Sequence, residues 1–171
     1  RDRMKTAIKT GDVSVLQGLP DTVDMLLGNV ANGYGAGTIG EVCALALIAG
    51  LMWMLWRRVI TWHIPVTILA TVFVLSGVLH VVNPVYAHPM AVVLSGGLML
   101  GAIFMATDYV TSPMTHRGQV IYAVGIGVLT VVIRNWGSYP EGMSFAILIM
   151  NAFTPLINFY VKPKRFGEVS R

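Results

Sequence analysis

The sequence predicts an all-α polytopic membrane protein with about five transmembrane helices. Five almost uncharged apolar segments of roughly 14 to 19 residues follow one another between Ile39 and Val161. A bilayer core about 30 Å thick needs roughly 20 residues per helix, and a soluble domain of this length rarely contains so many such segments. The composition agrees, with 55% hydrophobic and only 12% charged residues. Because no alternating ten-residue pattern of a β-barrel strand is present, the spans must be helices.

The apolar segments divide the chain into three parts. Residues 1–38 form a polar, Gly-rich segment, residues 39–161 the transmembrane domain, and residues 162–171 a basic tail. The predicted spans are Ile39–Trp56, Pro65–Val82, Met90–Thr107, Val120–Ile133 and Met143–Val161. Proline stands at or near predicted span ends, at Pro65, Pro113, Pro140 and Pro155. Such interruptions suit the broken helices of inverted-repeat transport proteins, and we expect the chain to be part of a longer protein.

Positive charge predicts the orientation. If every span crosses, one side holds Arg57, Arg58, His63, Arg117, Lys162, Lys164 and Arg165. The opposite loops, Asn83–Pro89 and Asn135–Gly142, contain no Lys or Arg, although Arg134 borders the second. Because positive loops stay in the cytoplasm, we expect a cytoplasmic C-terminus, an external segment 1–38 and a location in the cytoplasmic (inner) membrane. The net charge of +4 therefore reflects topology, and we expect no nucleic-acid partner.

The cysteine, the histidines and the tryptophans show no pattern of a metal site, and we interpret them as packing or interfacial residues. Cys43 is the only cysteine, which excludes an internal disulfide and a cysteine-held zinc or iron–sulfur site within this chain. The four histidines, His63, His80, His88 and His116, share no helical face and no ligand-like spacing. We interpret them as interfacial residues. The four tryptophans lie near predicted span ends, as in an aromatic belt: Trp53, Trp56, Trp62 and Trp136.

Glu41 is the acid nearest the start of an apolar span, and it follows Gly37, Thr38 and Gly40. The backbone amides of such a turn can face an anion such as a phosphate, and the carboxylate can bind a cation or a proton. The alternative is a carboxylate that only stabilises the helix N-terminus.

Asp108 ends the third predicted span beside three hydroxyl-bearing residues, Thr107, Thr111 and Ser112. Their oxygens are the ligands that a sodium ion prefers, and they could equally form a proton relay or hydrogen bonds to a flavin. The alternative is a polar turn in which Asp108 caps the next segment.

At these residues the chain resembles a known family, the D subunit of Rnf ion-translocating ferredoxin:NAD oxidoreductases and the related B subunit of sodium-pumping NADH:quinone reductases. The matching strings are Gly28 to Glu41, Arg57 to Pro65, Leu94 to Gly101, Met105 to Pro113, and Tyr139 to Pro155. They occur in order and cover nearly the whole chain. The ending Thr111-Ser112-Pro113 resembles the Rnf branch, whereas Tyr109 stands where the family often has proline.

The resemblance implies one half of an inverted-repeat fold similar to urea transporters, with five helices in each half. It also implies FMN joined to a threonine of a Ser/Thr-Gly-Ala-Thr motif, with riboflavin as the other flavin to consider. That motif does not occur in this sequence. We therefore expect the chain to be the C-terminal half of the family's membrane protein, with the attachment threonine upstream of it and no covalent flavin at Thr115.

Two sets of residues follow from the resemblance and the motifs together. The expected flavin-lining residues are Gly37, Thr38, Gly40, Glu41 and Asn151. The expected ion-pathway residues are Asp108, Thr107, Thr111 and Ser112. No residue has the pattern of a general base or nucleophile with an oriented partner, so we expect no complete catalytic site in this chain and no metal site.

Three functions fit these observations. The first is a membrane subunit of a redox-driven sodium or proton pump that carries electrons through flavin between ferredoxin and NAD. Its partners would be the lipid bilayer and the other membrane and flavoprotein subunits of the Rnf complex. The second is a passive or secondary transporter of small solutes, and the third a scaffold with no pathway of its own. Bound flavin in the full complex would separate the first from the others.

Overall fold

The computed structural model describes Ile8 and residues 43–94, 97–137 and 142–162. In these ranges we name the helices α1 (Ala44–Trp56), α2 (His63–Val82), α3 (Pro89–Leu94), α4 (Leu98–Leu100), α5 (His116–Trp136) and α6 (Met143–Tyr160), with a π-helical turn at Gly101–Met105. The described residues contain no strand. Helices α2, α5 and α6 are long and apolar enough to cross a membrane, and α1 is a shorter apolar helix. The predicted all-α multi-pass membrane protein is confirmed.

The third span is interrupted, which corrects the continuous helix predicted for Met90–Thr107. Helix α3 ends at Leu94, α4 begins at Leu98, and the π-helical turn follows, closed by the Ala106 amide donating to the Gly101 carbonyl at 2.8 Å. The guanidinium of Arg134, on α5, donates through Nη1 to Val92 O, on α3, at 2.9 Å. This bond joins the first part of the third span to α5.

The other span ends follow local chemistry. Helix α5 begins at His116, four residues before the predicted start, because the Thr115 hydroxyl caps it and accepts the Gly118 amide at 3.1 Å. Pro65 lies in the first turn of α2, where no amide donor is needed. Pro155, expected at or near a span end, lies inside α6. The start of the first predicted span, residues 39–42, falls outside the described residues.

Helix α1 ends in a Schellman motif. The Val59 amide donates to Met54 O and the Arg58 amide to Leu55 O, both at 3.0 Å. Arg58 adopts the left-handed conformation at φ 54°, which this motif requires and which glycine usually supplies. The chain therefore turns sharply at Arg57 and Arg58 before α2 begins.

The core lies between α2, α5 and α6 and the interrupted span. Its fully buried side chains include Ile68 and Val72 on α2 and Tyr122 and Ile126 on α5. Helices α2 and α5 pack against each other more extensively than any other described pair. Gly127 permits this approach, because a Cβ there would lie 2.8 Å from Cβ and Cγ2 of Thr71. Small residues allow such close packing between membrane helices.

Three contacts bring the positively charged loops to one end of the helices. Thr61 Oγ1 donates to Gln119 Oε1 at 3.1 Å, Thr115 Oγ1 donates to Val161 O at 3.3 Å, and the rings of His63 and His116 stack at 4.5 Å. We call this the basic end, formed by residues 57–63, 115–117 and 161–162. The segregation of charge agrees with the predicted topology, and the assignment of the basic end to the cytoplasm stays a prediction.

Candidate functional site

Asp108 lies in the turn between the π-helical turn and α5, and its carboxylate is exposed. Thr111 Oγ1 donates to Asp108 Oδ2 at 3.1 Å, and the Ser112 amide donates to the Asp108 carbonyl at 3.1 Å. Two of the three predicted neighbours therefore contact Asp108. The third does not, since the Thr107 hydroxyl donates to Ile103 O at 2.6 Å. Because Thr115 caps α5, Asp108 is not the cap of that helix.

Asn151 is the one predicted flavin-lining residue among those described, since Gly37, Thr38, Gly40 and Glu41 lie outside the described residues. It is half-buried on α6, and its Oδ1 accepts the Tyr122 hydroxyl at 2.5 Å. Pro155 stands four residues later and has no amide hydrogen, so the Asn151 carbonyl lacks its usual helical donor. The Asn151 side chain therefore joins α6 to α5.

Tyr122 on α5 binds the predicted flavin-lining residue Asn151 on α6. Its side chain is fully buried, and its hydroxyl donates to Asn151 Oδ1. The sequence interpretation missed Tyr122 because a tyrosine in an apolar segment usually indicates packing. The available signal was the three-residue spacing of His116, Gln119 and Tyr122, which places these polar side chains close together along α5.

Gln119 continues this arrangement toward the basic end. Its Oε1 accepts from Thr61 and its Nε2 donates to Pro113 O at 3.3 Å, so a buried amide is bonded at both of its polar atoms. A polar group inside a membrane domain needs such partners. We call Gln119, Tyr122 and Asn151 the polar row. It runs from the basic end into the contact between α5 and α6.

The flavin-lining role of Asn151 stays a prediction. The Asn151 side-chain oxygen accepts the Tyr122 hydroxyl, which leaves its second lone pair and its amide group for another ligand. The Thr115 hydroxyl both caps α5 and donates to Val161 O.

We expect Tyr122→Phe to lower the stability of the purified protein without changing its helix content. The substitution removes the hydroxyl donor and leaves Asn151 Oδ1 without it, and such bonds between membrane helices contribute about 0.6 to 2 kcal/mol. The temperature of half-unfolding in detergent measures the effect. The control is Tyr160→Phe, at an exposed tyrosine of α6. Equal loss of stability in the two variants would contradict an interhelical role for the Tyr122 hydroxyl.

Comparison with known proteins identifies the family. The model of the NQR2, RnfD, RnfE family matches residues 2–167. The chain is 44% identical over 149 residues to the D subunit of the Na(+)-translocating ferredoxin:NAD(+) oxidoreductase complex of Acetobacterium woodii, covering 87% of the chain and 44% of that relative. It is 41% identical over 168 residues to the D subunit of the ion-translocating oxidoreductase complex of Halorhodospira halophila, covering 98% of the chain and 46% of that relative.

A third relative is the D subunit of the proton-translocating ferredoxin:NAD(+) oxidoreductase complex of Clostridium ljungdahlii. It is 43% identical over 132 residues, which cover 77% of the chain and 40% of that relative. The chain thus spans less than half the length of each of these three relatives. Since the family model extends over nearly all of the 171 residues, the chain belongs to the NQR2, RnfD, RnfE family.

Proposed function

We propose that this chain is the C-terminal half of the D-type membrane subunit of a redox-driven ion pump that transfers electrons between ferredoxin and NAD. The observation that carries the proposal is its similarity, over most of its length, to the D subunits of ion-translocating oxidoreductase complexes. The coupling ion is sodium or a proton. The relative at 44% identity is named for sodium translocation, and the relative at 43% identity is named for proton translocation.

The arrangement of polar groups supports an ion path in this chain. Asp108 is the one Asp or Glu among the described residues, and it stands where the interrupted third span ends. An ionisable group at the end of a membrane span is tolerated where it reaches water or a partner, and Asp108 is exposed and bonded to Thr111. The Thr111 hydroxyl and the Asp108 carboxylate supply hard oxygen atoms that suit a sodium ion, and the same groups can exchange a proton. The polar row then continues from the basic end into the membrane domain.

Electron transfer belongs to other parts of the proposed complex. FMN, or riboflavin, would accept and donate the electrons, with the attachment threonine upstream of this chain. Within this chain, Asp108 would hold the ion, and Tyr122 and Asn151 would keep the α5–α6 contact polar. The other membrane and flavoprotein subunits would be its partners, in an inner membrane with the basic end toward the cytoplasm.

The test is reconstitution of the complete complex in proteoliposomes. We expect reduced ferredoxin and NAD to drive uptake of sodium or protons, and an artificial ion gradient to change the rate of NAD reduction. The purified complex should contain bound flavin, detected by its fluorescence. Uptake of a small neutral solute such as urea, without any redox reaction and without flavin, would favour the solute transporter and contradict the pump.

A further inference from the structure

The structure arranges the four histidines as two pairs, one at each end of the helices. His63 stacks on His116 at the basic end, and His80 lies against His88 at the opposite end. The sequence spacing did not predict this pairing. We infer that His80 and His88 form a two-histidine site for a divalent transition-metal ion such as Zn²⁺.

The two imidazoles have a separation that suits a shared metal ion. Their ring centroids are 5.6 Å apart, with an angle of 72° between the planes. Two imidazoles bound to one tetrahedral Zn²⁺ have their centres roughly 5 Å apart, because each Zn–N bond is about 2.0–2.1 Å long. The observed separation is therefore close to that of two imidazoles that share one ion.

His80 is oriented as a metal ligand usually is. Its Nδ1 lies 2.6 Å from the Tyr86 carbonyl oxygen. Since a carbonyl only accepts, Nδ1 carries the hydrogen and Nε2 keeps its lone pair. A histidine ligand typically donates its second nitrogen to a carbonyl or carboxylate, which fixes the tautomer and the ring orientation.

His88 is exposed and weakly held. The Met90 amide donates to its Nδ1 at 3.4 Å, near the limit of a hydrogen bond. The His88 ring can bind a metal through Nδ1 or, after a change of tautomer, through Nε2. In either case the hydrogen bond that is lost is this long contact with the Met90 amide. The loop that presents His88 is itself ordered by Asn83, whose carbonyl accepts the Tyr86 amide and whose Oδ1 accepts the Val85 amide, both at 3.1 Å.

The pair at the basic end has a different geometry. The rings of His63 and His116 are nearly parallel, with 23° between the planes, and Trp62 stacks on His63 at 4.3 Å. Stacked rings present their faces to each other, whereas metal ligands converge through nitrogen atoms at their edges. Nδ1 of His63 is buried without a hydrogen-bond partner. This pair is therefore the matched control.

The proposed site is weak and exchangeable. No group of three or more His, Cys, Asp or Glu side chains that could hold a metal occurs in the part of the chain that the structure describes. Water would complete the coordination, and among the common divalent ions Cu²⁺, Ni²⁺ and Zn²⁺ would bind more tightly than Mn²⁺. Mg²⁺ prefers oxygen ligands and should not bind.

A bound ion would join two elements that meet at the interrupted span. His80 belongs to the last turn of α2, and His88 immediately precedes α3, the first part of that span. The ion would fix the start of α3 to the end of α2. If the chain acts in the proposed pump, Zn²⁺ would slow coupled turnover from the side of the membrane that holds this loop.

The test uses the purified complete complex and a chromophoric zinc indicator, with no turnover required. We expect the wild-type complex to hold at least one more exchangeable Zn²⁺ per complex than the His88→Gln or His80→Gln complex. Each of these two substitutions should raise the dissociation constant of that site for Zn²⁺ at least tenfold. His63→Gln and His116→Gln should bind as wild type does. The exposed His88 is the safer position for a folded variant, and the temperature of half-unfolding checks folding.

Equal zinc binding by wild type and a folded His88→Gln complex would overturn the inference. Loss of the zinc site in His63→Gln or His116→Gln, but not in the His80 and His88 variants, would also overturn it. Because binding is measured without electron transfer, this result stands apart from the proposed pump. In proteoliposomes that turn over, Zn²⁺ added to the side of this loop should inhibit wild type and spare His88→Gln. Inhibition of both to the same extent would remove this pair as the inhibitory site.

Discussion

Asp108→Asn is expected to leave the complex assembled while lowering ferredoxin-driven NAD reduction at least about tenfold and weakening its dependence on the coupling ion. A tenfold loss of rate corresponds to about 1.4 kcal/mol in the barrier. Asparagine keeps the shape of the side chain and an oxygen that can accept from Thr111, so the change removes mainly the charge. Because Asp108 is exposed, we expect stability to change by less than about 0.5 kcal/mol.

Rates measured over a range of sodium concentration and pH, together with the amount of purified complex, test this expectation. Asp108→Glu keeps the charge and should recover part of the activity. Thr111→Val removes the hydroxyl donor alone and should have a smaller effect than Asp108→Asn. Normal ion-dependent turnover of Asp108→Asn would leave Asp108 as a residue of a polar turn, and loss of assembly would make its role structural.

Gly127→Leu is expected to prevent the close packing of α2 on α5 and to reduce sharply the amount of folded protein in the membrane. Even a Cβ at this position would lie 2.8 Å from two carbon atoms of Thr71. Overpacking a well-packed core typically costs about 1–3 kcal/mol. The larger leucine side chain should exceed that range, because both helices contribute to the same buried core.

Quantitative immunoblotting of membranes and unfolding of the detergent-purified protein measure this effect. Val128→Leu, at the exposed neighbouring position, is the matched control and should be tolerated. In a second arm, Thr71→Gly should relieve part of the defect of Gly127→Ala, since it removes the atoms that clash. Wild-type levels of Gly127→Leu would show that α2 and α5 can separate at this point at little cost.

The sequence alone determined the class of protein and the long helices. Apolar length is a local property, and the thickness of the bilayer sets the length that a span requires. Helices α2 and α6 therefore lie within two residues of the predicted spans at both ends. Charge segregation likewise indicated which loops share an end, and the contact between Asp108 and Thr111 followed from their closeness in the chain. The Gly-rich turn with Glu41 lies outside the described residues, so its role stays a prediction.

Only the tertiary structure decided the features that depend on partners distant in sequence. Arg134 on α5 binds Val92 O on α3, 42 residues away in the sequence. Tyr122 connects to Asn151 across α5 and α6, and the histidines that appeared scattered lie in two pairs. Residue type and hydropathy report the preference of each segment for the membrane. They do not report which polar side chains meet once the helices pack, because that depends on the rotation and contact of each helix against its neighbours.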